Sequence, residues 1–173
     1  MCELMGYRDK VCVITGAASG MGKAATEMLV EMGATVYALD VNDVTTPGIE
    51  KSVRVNLADK QSIDDAFKQL PDRIDRFFGV AGVSGVQTNY HLTVTINFIA
   101  NKYMTDEYLD KRMADGGCIT YISSMGGTHW DKYMREYRKM MNAVGWDGTV
   151  AELHRLAPAD AFRPFSSTMS QMA

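Results

Sequence analysis

The sequence has no long apolar run and little excess charge of either sign. None of its segments approaches the ~18 apolar residues of a membrane-spanning helix. Residues 1–6 have neither the basic start nor the apolar run of a secretory signal. The net charge of -3 and the pI of about 5.6 leave no basic surplus to attract nucleic acid or anionic lipid. We therefore expect a cytoplasmic protein with no nucleic-acid partner and no membrane.

Cysteine is scarce and lacks the spacing of a metal or redox site. Cys2, Cys12 and Cys118 are far apart, and no C-x-x-C pair occurs. Two of the three lie within apolar runs, which predicts buried free thiols in a reducing compartment. The histidines show no ligand spacing, so no metal site is predicted.

The sequence does alternate regularly between strand and helix patterns. Its length predicts one domain, and 46% hydrophobic residues is ordinary for a globular protein. Short apolar runs predict strands at about 10–15, 35–39, 52–55, 76–80 and 118–122. Helical spacing predicts helices at about 21–32, 59–70 and 92–113. This order predicts an α/β fold with a doubly wound parallel sheet in three layers.

Two details of the helices follow from the same spacing. The first helix has Ala24, Ala25, Met28, Leu29 and Met32 on one predicted inward face. Residues 126–161 break the alternation and form a predicted helical insertion. Within it we expect helices at 130–144 and 149–156, joined by a loop at 145–148.

A glycine-rich turn follows the first predicted strand. Residues 15–22 read TGAASGMG, with Gly16, Gly20 and Gly22 spaced as pyrophosphate binding requires. The first glycine permits the turn, the second lets the backbone approach the phosphates, and the third lets the helix pack closely. The helix then presents free N–H groups to the anion. The alternative is that these glycines serve the turn geometry alone.

An acid ends the second predicted strand. Asp40 can accept the two ribose hydroxyls of the adenosine half of a dinucleotide, and it would repel a 2′-phosphate. No Arg or Lys follows at 41–43, and Lys23 and Lys51 are the only cations that the sequence places nearby. The pattern therefore predicts NAD rather than NADP, unless Asp40 is only a turn residue.

Several short motifs, taken together, resemble the cofactor half of the short-chain dehydrogenases/reductases. They are TGAASGMG (15–22), Asp40, NL (56–57), GVAG (79–82), TIN (95–97) and ISS (122–124). The short connection from Gly82 to Asn97 and the long insertion after Ser124 most resemble the 3-alpha-hydroxysteroid dehydrogenase/carbonyl reductase branch. The resemblance implies a Rossmann-type fold and an NAD(H)-dependent oxidoreductase that interconverts an alcohol and a carbonyl, such as a steroid or another hydrophobic ketone.

The resemblance also assigns cofactor contacts by position. For the pyrophosphate and its flank they are Gly16, Ser19, Gly20, Met21 and Gly22. For the adenosine half they are Asp40, Val41, Asn56 and Leu57. For the nicotinamide they are Ala81, Gly82 and Ile122.

In this family a serine holds the substrate's carbonyl oxygen and an asparagine anchors a water, which here would be Ser124 and Asn97. Their alternatives are a polar turn residue and a surface amide of a helix. The family's proton-donating tyrosine and the lysine four residues later are missing as a pair. One register gives Tyr137 with Met141, and the other gives Phe165 with Met169. We prefer the second, because it explains 126–161 as an insertion.

Three functional hypotheses follow. The first is an oxidoreductase acting on a small-molecule alcohol or ketone, and the second is an inactive NAD-binding relative that acts as a sensor or subunit. A methyltransferase using S-adenosylmethionine is disfavoured by the glycine spacing and the ISS element. Family members continue through two further strands, so we expect a C-terminally truncated domain. One of the family's two usual oligomer helices matches 92–113, which leaves a homo-oligomer open.

Overall fold

The computed structural model of the chain describes residues 6–84, 89–124 and 130–158. By their contacts they form two compact units. Of the described residues, the sheet unit comprises 6–81 and 108–121, and the helical unit comprises 82–84, 89–107, 122–124 and 130–158. The organisation as one domain with an insertion at 126–161 stays a prediction. In the described part of the chain, no helix is both long and apolar enough to cross a bilayer.

The sheet unit is built on five parallel strands in the order β3-β2-β1-β4-β5. This is the order of a doubly wound Rossmann-type sheet, and it confirms the predicted α/β fold. The first three strands match the predicted positions within a few residues. The strands are β1 (Val11–Thr15), β2 (Thr35–Asp40), β3 (Lys51–Arg54), β4 (Ile74–Gly79) and β5 (Met113–Tyr121).

Helix α1 (Gly20–Glu31) follows β1, and its predicted inward face is confirmed at Leu29 and Ala25 but wrong at Ala24 and Met28, which are exposed. Gly22, Thr26 and Leu29 are its buried residues, whereas Met28 is 53% exposed. The Thr26 hydroxyl donates to the Gly22 carbonyl at 2.8 Å, so it is satisfied without water. Small residues thus bring the helix close to the strand, and counting only apolar side chains misplaced the face by part of a turn.

Helix α2 (Lys60–Phe67) is amphipathic as predicted. Its start is capped by Asp59, whose side chain accepts from the Gln61 N–H at 2.9 Å. Ile63 and Phe67 are fully buried. Tyr108 stacks on Phe67 with ring centroids 4.3 Å apart and donates to Asp64 at 2.6 Å.

Strand β5 begins five residues earlier than predicted. Its pairing with β4 shifts register between Ile74 and Arg76, and Gly116 adopts a φ of +72° there. A polar, glycine-containing segment therefore joins the sheet through an irregularity that hydrophobic periodicity does not show. Within the described part of the chain β5 is the outermost strand and alternates in burial, so Cys118 is exposed, which corrects the prediction of a buried thiol. Cys12 is buried, and its burial raises its pKa to about 12; Cys2 lies outside the described residues.

Between β4 and β5 the chain is helical in five consecutive segments. They are α3 (Tyr90–Val94), the π-helical Thr95–Ile99, α4 (Ala100–Met104), the π-helical Thr105–Leu109 and α5 (Asp110–Arg112). The predicted helix at 92–113 is therefore present, with two widened turns. Such turns are rare, and they occur frequently at functional sites.

The rest of the helical unit contains a 3-10 turn (Trp130–Tyr133), α6 (Met134–Asn142) and α7 (Gly145–Leu156). Both predicted helices exist, but α7 begins four residues early, so the loop expected at 145–148 is its first turn. Thr149 donates to the Gly145 carbonyl at 2.6 Å, and the Trp146 ring meets Tyr103 edge-on with centroids 5.6 Å apart. These contacts outweigh the low helix propensity of the glycines. The buried core of this unit is Val94, Ile99, Tyr137, Met140 and Leu153.

Candidate functional site

The glycine turn lies where the strand order of the sheet reverses. β1 pairs with β2 on one side and with β4 on the other, so the loops after β1 and β4 diverge at this point. Ligands of doubly wound sheets bind outside the carboxyl ends of the strands at such a point. Here the Ala81 N–H donates to the Thr15 hydroxyl at 3.2 Å, which joins the two loops.

Two glycines of the turn cannot be replaced without moving the backbone. Gly16 has a φ of +75°, and a Cβ on it would lie 2.7 Å from the Ala81 backbone. A Cβ on Gly22 would lie 2.0 Å from the Gly16 carbonyl oxygen. The structure therefore brings Gly16, Gly22 and Ala81 together, and close packing requires both glycines.

Gly20 and its neighbours leave the start of α1 open. Gly20 has a φ of +52°, and no heavy atom lies within 4 Å of the position of a Cβ. Ser19 is the N-cap but makes no side-chain capping bond, and Met21, two residues later, is 66% exposed. The first N–H groups of α1 thus receive no bond from the cap, and they fit the phosphate oxygens of a dinucleotide.

Asp40 connects the end of β2 to the glycine turn. One of its carboxylate oxygens accepts from the Ala18 N–H at 3.0 Å, and the other accepts from the Asn42 N–H at 2.9 Å. A carboxylate has about four acceptor positions, so it can also accept from ribose hydroxyls. The residues at this corner therefore fit the adenosine half of a dinucleotide as well as its pyrophosphate.

The predicted adenine contacts differ in what they can offer. Val41 is 50% exposed, whereas Leu57 is buried at 6% exposure, so only its backbone could meet a ligand. Asn56 is exposed, although its side chain also accepts from the Ala58 N–H at 3.0 Å. Val41 and Asn56 are thus the pair whose side chains are accessible.

Sequence reasoning missed one cation at this corner. Arg54, the last residue of β3, pairs in register with Asp40, and its Nε donates to the Val41 carbonyl at 3.0 Å. The expectation that Lys23 and Lys51 are the only nearby cations is therefore wrong. Only the register of β3 on β2 brings Arg54 here, and that register cannot be read from local sequence.

In the helical unit, Asn97 is held rigidly within the first π-helical segment. It is 9% exposed, its Oδ1 accepts from the Val83 N–H at 2.9 Å, and its Nδ2 donates to the Val83 carbonyl at 3.0 Å. A Cβ on Gly82 would lie 3.4 Å from the same Oδ1. The Asn97 carbonyl in turn accepts from Asn101 Nδ2 at 2.9 Å. Asn97 is therefore not a surface amide, and it fixes the loop that follows β4.

The remaining predicted catalytic residues lie either in an exposed segment after β5 or in a buried core. Ser124 and Ile122 follow β5 and are exposed. Tyr137 is only 6% exposed, in the apolar core of the helical unit, and Met141 at the lysine position is 57% exposed. Burial in the same region, together with Tyr137, raises the pKa of Tyr90 to about 12. Phe165 and Met169 lie outside the described residues.

No group of three or more His, Cys, Asp or Glu side chains that could hold a metal ion occurs among the residues that the structure describes. His91 and His154 do meet, with ring centroids 4.6 Å apart, but His91 Nε2 lies 2.7 Å from the Ala157 carbonyl oxygen. That bond uses the nitrogen to fasten α3 to the end of α7.

Comparisons with known proteins agree with this geometry. The family model described as short chain dehydrogenase matches residues 10–138. Coniferyl-alcohol dehydrogenase of Pseudomonas sp. (strain HR199 / DSM 7063) is 30% identical over 167 residues, which are 95% of this chain and 64% of that protein. The NAD(+) 15-hydroxyprostaglandin dehydrogenase of Rattus norvegicus is 32% identical over 71% of this chain and 53% of its own length. The chain thus spans between about half and two thirds of these relatives.

Among solved structures, the 3-alpha-hydroxysteroid dehydrogenase from Pseudomonas sp. B-0831 complexed with NADH is similar to this chain. The TM-score is 0.66 at 21% identity, and the match covers 93% of this chain and 66% of that one. Levodione reductase gives a TM-score of 0.59, also at 21% identity, over 86% of this chain and 62% of its own. At these identities the likeness shows the fold.

Proposed function

Because the chain belongs to the short-chain dehydrogenase family, we propose that it is an NAD(H)-dependent oxidoreductase that interconverts an alcohol and a carbonyl compound. The observation that carries the proposal is the glycine turn with Asp40 bonded to it. Gly16 and Gly22 are sterically obligatory, and the Ala18 N–H fixes the carboxylate at 3.0 Å. This combination binds the phosphates and ribose of a dinucleotide.

The residues of the sheet unit would hold the cofactor from one end to its middle. The N–H groups that begin α1 would bind the pyrophosphate, with Ser19 and Met21 at its flank. Asp40 would accept the ribose hydroxyls, and Val41 and Asn56 would flank adenine, with the backbone of Leu57. We propose NAD(H) over NADP(H), because Asp40 opposes a 2′-phosphate and the relatives named above include an NAD(+) enzyme.

Gly82 and Ile122 of the helical unit would border the nicotinamide, and so would Ala81, the residue before Gly82 in the chain. When bound, NADH supplies the hydride for the carbonyl carbon. Ser124 would hold the carbonyl oxygen, and Asn97 would hold a water for the accompanying proton. Because both side-chain groups of Asn97 bind Val83, its backbone carbonyl is the atom for that water, beside Asn101.

The proton donor decides between this function and a second one. Tyr137 would have to reach substrate from an apolar core, and the exposed Met141 would stand where a lysine lowers the tyrosine's pKa. This placement weighs against Tyr137 and favours the register of Phe165 and Met169, which has neither group. The second candidate is therefore a catalytically inactive NAD-binding relative that acts as a sensor or subunit.

The substrate we propose is a small alcohol or ketone with an apolar body, such as a steroid. The relatives are named for coniferyl alcohol, a prostaglandin alcohol and a hydroxysteroid, all of which carry such a body. A homo-oligomer and a cytoplasmic location complete the proposal.

NADH oxidation with a panel of aromatic, steroid and aliphatic ketones tests the oxidoreductase. We expect turnover that Ser124→Ala abolishes, while NADH binding stays unchanged because Ser124 would contact substrate rather than cofactor. Asn142→Ala, on an exposed residue of α6, is the control. A chain that binds NADH but reduces no carbonyl compound contradicts this function and supports the inactive relative.

A further inference from the structure

Arg54 and Asp40 lie side by side at the carboxyl edge of the sheet. They are register partners on the parallel strands β3 and β2. Because side chains alternate between the two faces along a strand, register partners project from the same face. Arg54 is therefore on the face from which Asp40 reaches the glycine turn.

The Arg54 guanidinium is exposed and held in place by its inner nitrogen. Nε donates to the Val41 carbonyl at 3.0 Å. Asp40, the nearest acid in register, instead accepts from the N–H groups of Ala18 and Asn42. Within the described ranges, Arg54 forms no ion pair, so its charge is not neutralised by a carboxylate in contact. The bond at Nε still leaves the outer face of a guanidinium for a planar, two-point contact with an anion.

The other cations that the sequence places near this corner are differently engaged. Lys23 pairs with Glu27 on the same helix, at 3.9 Å. Lys51 begins β3, whereas Arg54 ends it. Asp40 and Asp43 would repel an added phosphate, and Arg54 is the positive group that opposes them.

We propose that Arg54 admits a 2′-phosphate on the adenosine ribose, so that this chain binds NADPH measurably although NADH is preferred. The inference rests on the proposed function, which places the adenosine ribose at Asp40. The cofactor preference is then a balance between two adjacent side chains: Asp40 accepts the free 2′-hydroxyl, and Arg54 binds the phosphate that replaces it. A guanidinium suits this role better than an ammonium because it binds phosphate at two points.

Calorimetric titrations of the 173-residue chain with NADH and with NADPH test this inference. We expect Arg54→Gln to weaken NADPH binding about tenfold, the effect of losing one charge-assisted contact, and to change NADH binding less than about twofold. Arg54→Lys should fall between wild type and Arg54→Gln for NADPH. Lys51→Gln removes the same charge from the other end of the same strand and should leave both affinities unchanged.

The outcomes separate the inference from the function on which it rests. Tight NADH binding with no measurable NADPH binding overturns the role of Arg54 and leaves the NAD(H) site intact. An equal loss of both cofactors in Arg54→Gln, with an unchanged unfolding temperature, also overturns it. Failure of the wild-type chain to bind either dinucleotide contradicts the proposed function and the ribose site together.

Discussion

The sheet unit and the helical unit contribute to function in different ways. In the sheet unit, the contacts proposed for the cofactor are mainly backbone: two glycines at which a Cβ would clash, and N–H groups at a helix start. One side chain joins them, the Asp40 carboxylate that is bonded to the turn. In the helical unit, the loop after β4 is held as firmly, by Asn97 on Val83. Tyr137, however, is buried in the apolar core of the helical unit, and Met141 stands four residues later, at the lysine position. The sheet unit thus keeps the groups that fit the phosphates and ribose of a dinucleotide, whereas the helical unit offers a buried Tyr137 and an exposed Met141 at the positions of a proton donor and its lysine.

The largest expected effect comes from crowding the glycine turn. Gly22→Ala places a Cβ 2.0 Å from the Gly16 carbonyl, so the turn must shift. We expect a loss of about 1–3 kcal/mol of stability from overpacking. NADH binding should weaken at least about a hundredfold, because the displaced N–H groups lose charge-assisted hydrogen bonds to the pyrophosphate. Urea unfolding and calorimetry measure the two effects.

Gly148→Ala is the matched control for that change. Gly148 lies inside α7, with nothing within 4 Å of the position of a Cβ, so alanine should stabilise the helix and leave NADH binding unchanged. If Gly22→Ala bound NADH as well as Gly148→Ala, the turn would not be the pyrophosphate site.

A smaller effect is expected from the acid at the ribose. Asp40→Ala removes the acceptor for two hydroxyls, and we expect NADH binding to weaken about tenfold to a hundredfold. ADP-ribose, which lacks nicotinamide, should lose affinity in parallel in the same titration. Asp43→Ala, on an exposed acid three residues later, serves as control. Equal effects of the two substitutions would mean that general charge, not a bound ribose, is being measured.

In the helical unit, we expect Asn97→Ala to lower the stability of the protein rather than its affinity for the cofactor. Asn97→Ala leaves the N–H and carbonyl of Val83 without the amide that binds both, which costs about 2 kcal/mol in urea unfolding. Binding of ADP-ribose should change little, because the contacts proposed for it lie in the sheet unit. A parallel loss of ADP-ribose affinity would contradict the proposal that the sheet unit alone supplies the contacts to ADP-ribose.

The smallest expected effect is on the pH dependence of stability, and it distinguishes the buried Asp75 from the exposed Asp72 in the sheet unit. Asp75 accepts from the Val11 N–H at 2.9 Å, and this bond, more than Lys10 or Arg73, holds its pKa below the ordinary 3.8, against the opposing effect of burial. Its contribution to stability is therefore full above pH 3.8 and is lost as the pH falls through the lowered pKa. Asp75→Asn should remove about 1 kcal/mol at neutral pH and flatten the acid side of the stability curve, without changing NADH affinity.

Urea midpoints measured between neutral pH and pH 3 give this comparison, with Asp72→Asn at an exposed acid as control. If the urea midpoint of Asp75→Asn fell with decreasing pH as steeply as that of the wild type, another carboxylate would control acid unfolding.

The predictable part of the fold is local. The turn 15–22, the strand β2 with its terminal acid and the inward face of α2 each follow from residues within one segment. Errors arose where distant contacts decide: Gly22 and Thr26 set the face of α1, an irregular register extends β5 and exposes Cys118, and Trp146 with Thr149 begins α7 early. Arg54 was missed for the same reason, since only strand pairing brings it to Asp40.

Calorimetric titration of the 173-residue chain with NADH tests the central claim most directly. The account predicts saturable one-to-one binding in the micromolar range that Gly22→Ala weakens at least about a hundredfold and Gly148→Ala preserves. A folded wild-type chain that gives no heat of binding up to millimolar NADH would contradict the assignment of the glycine turn and Asp40 as a dinucleotide site.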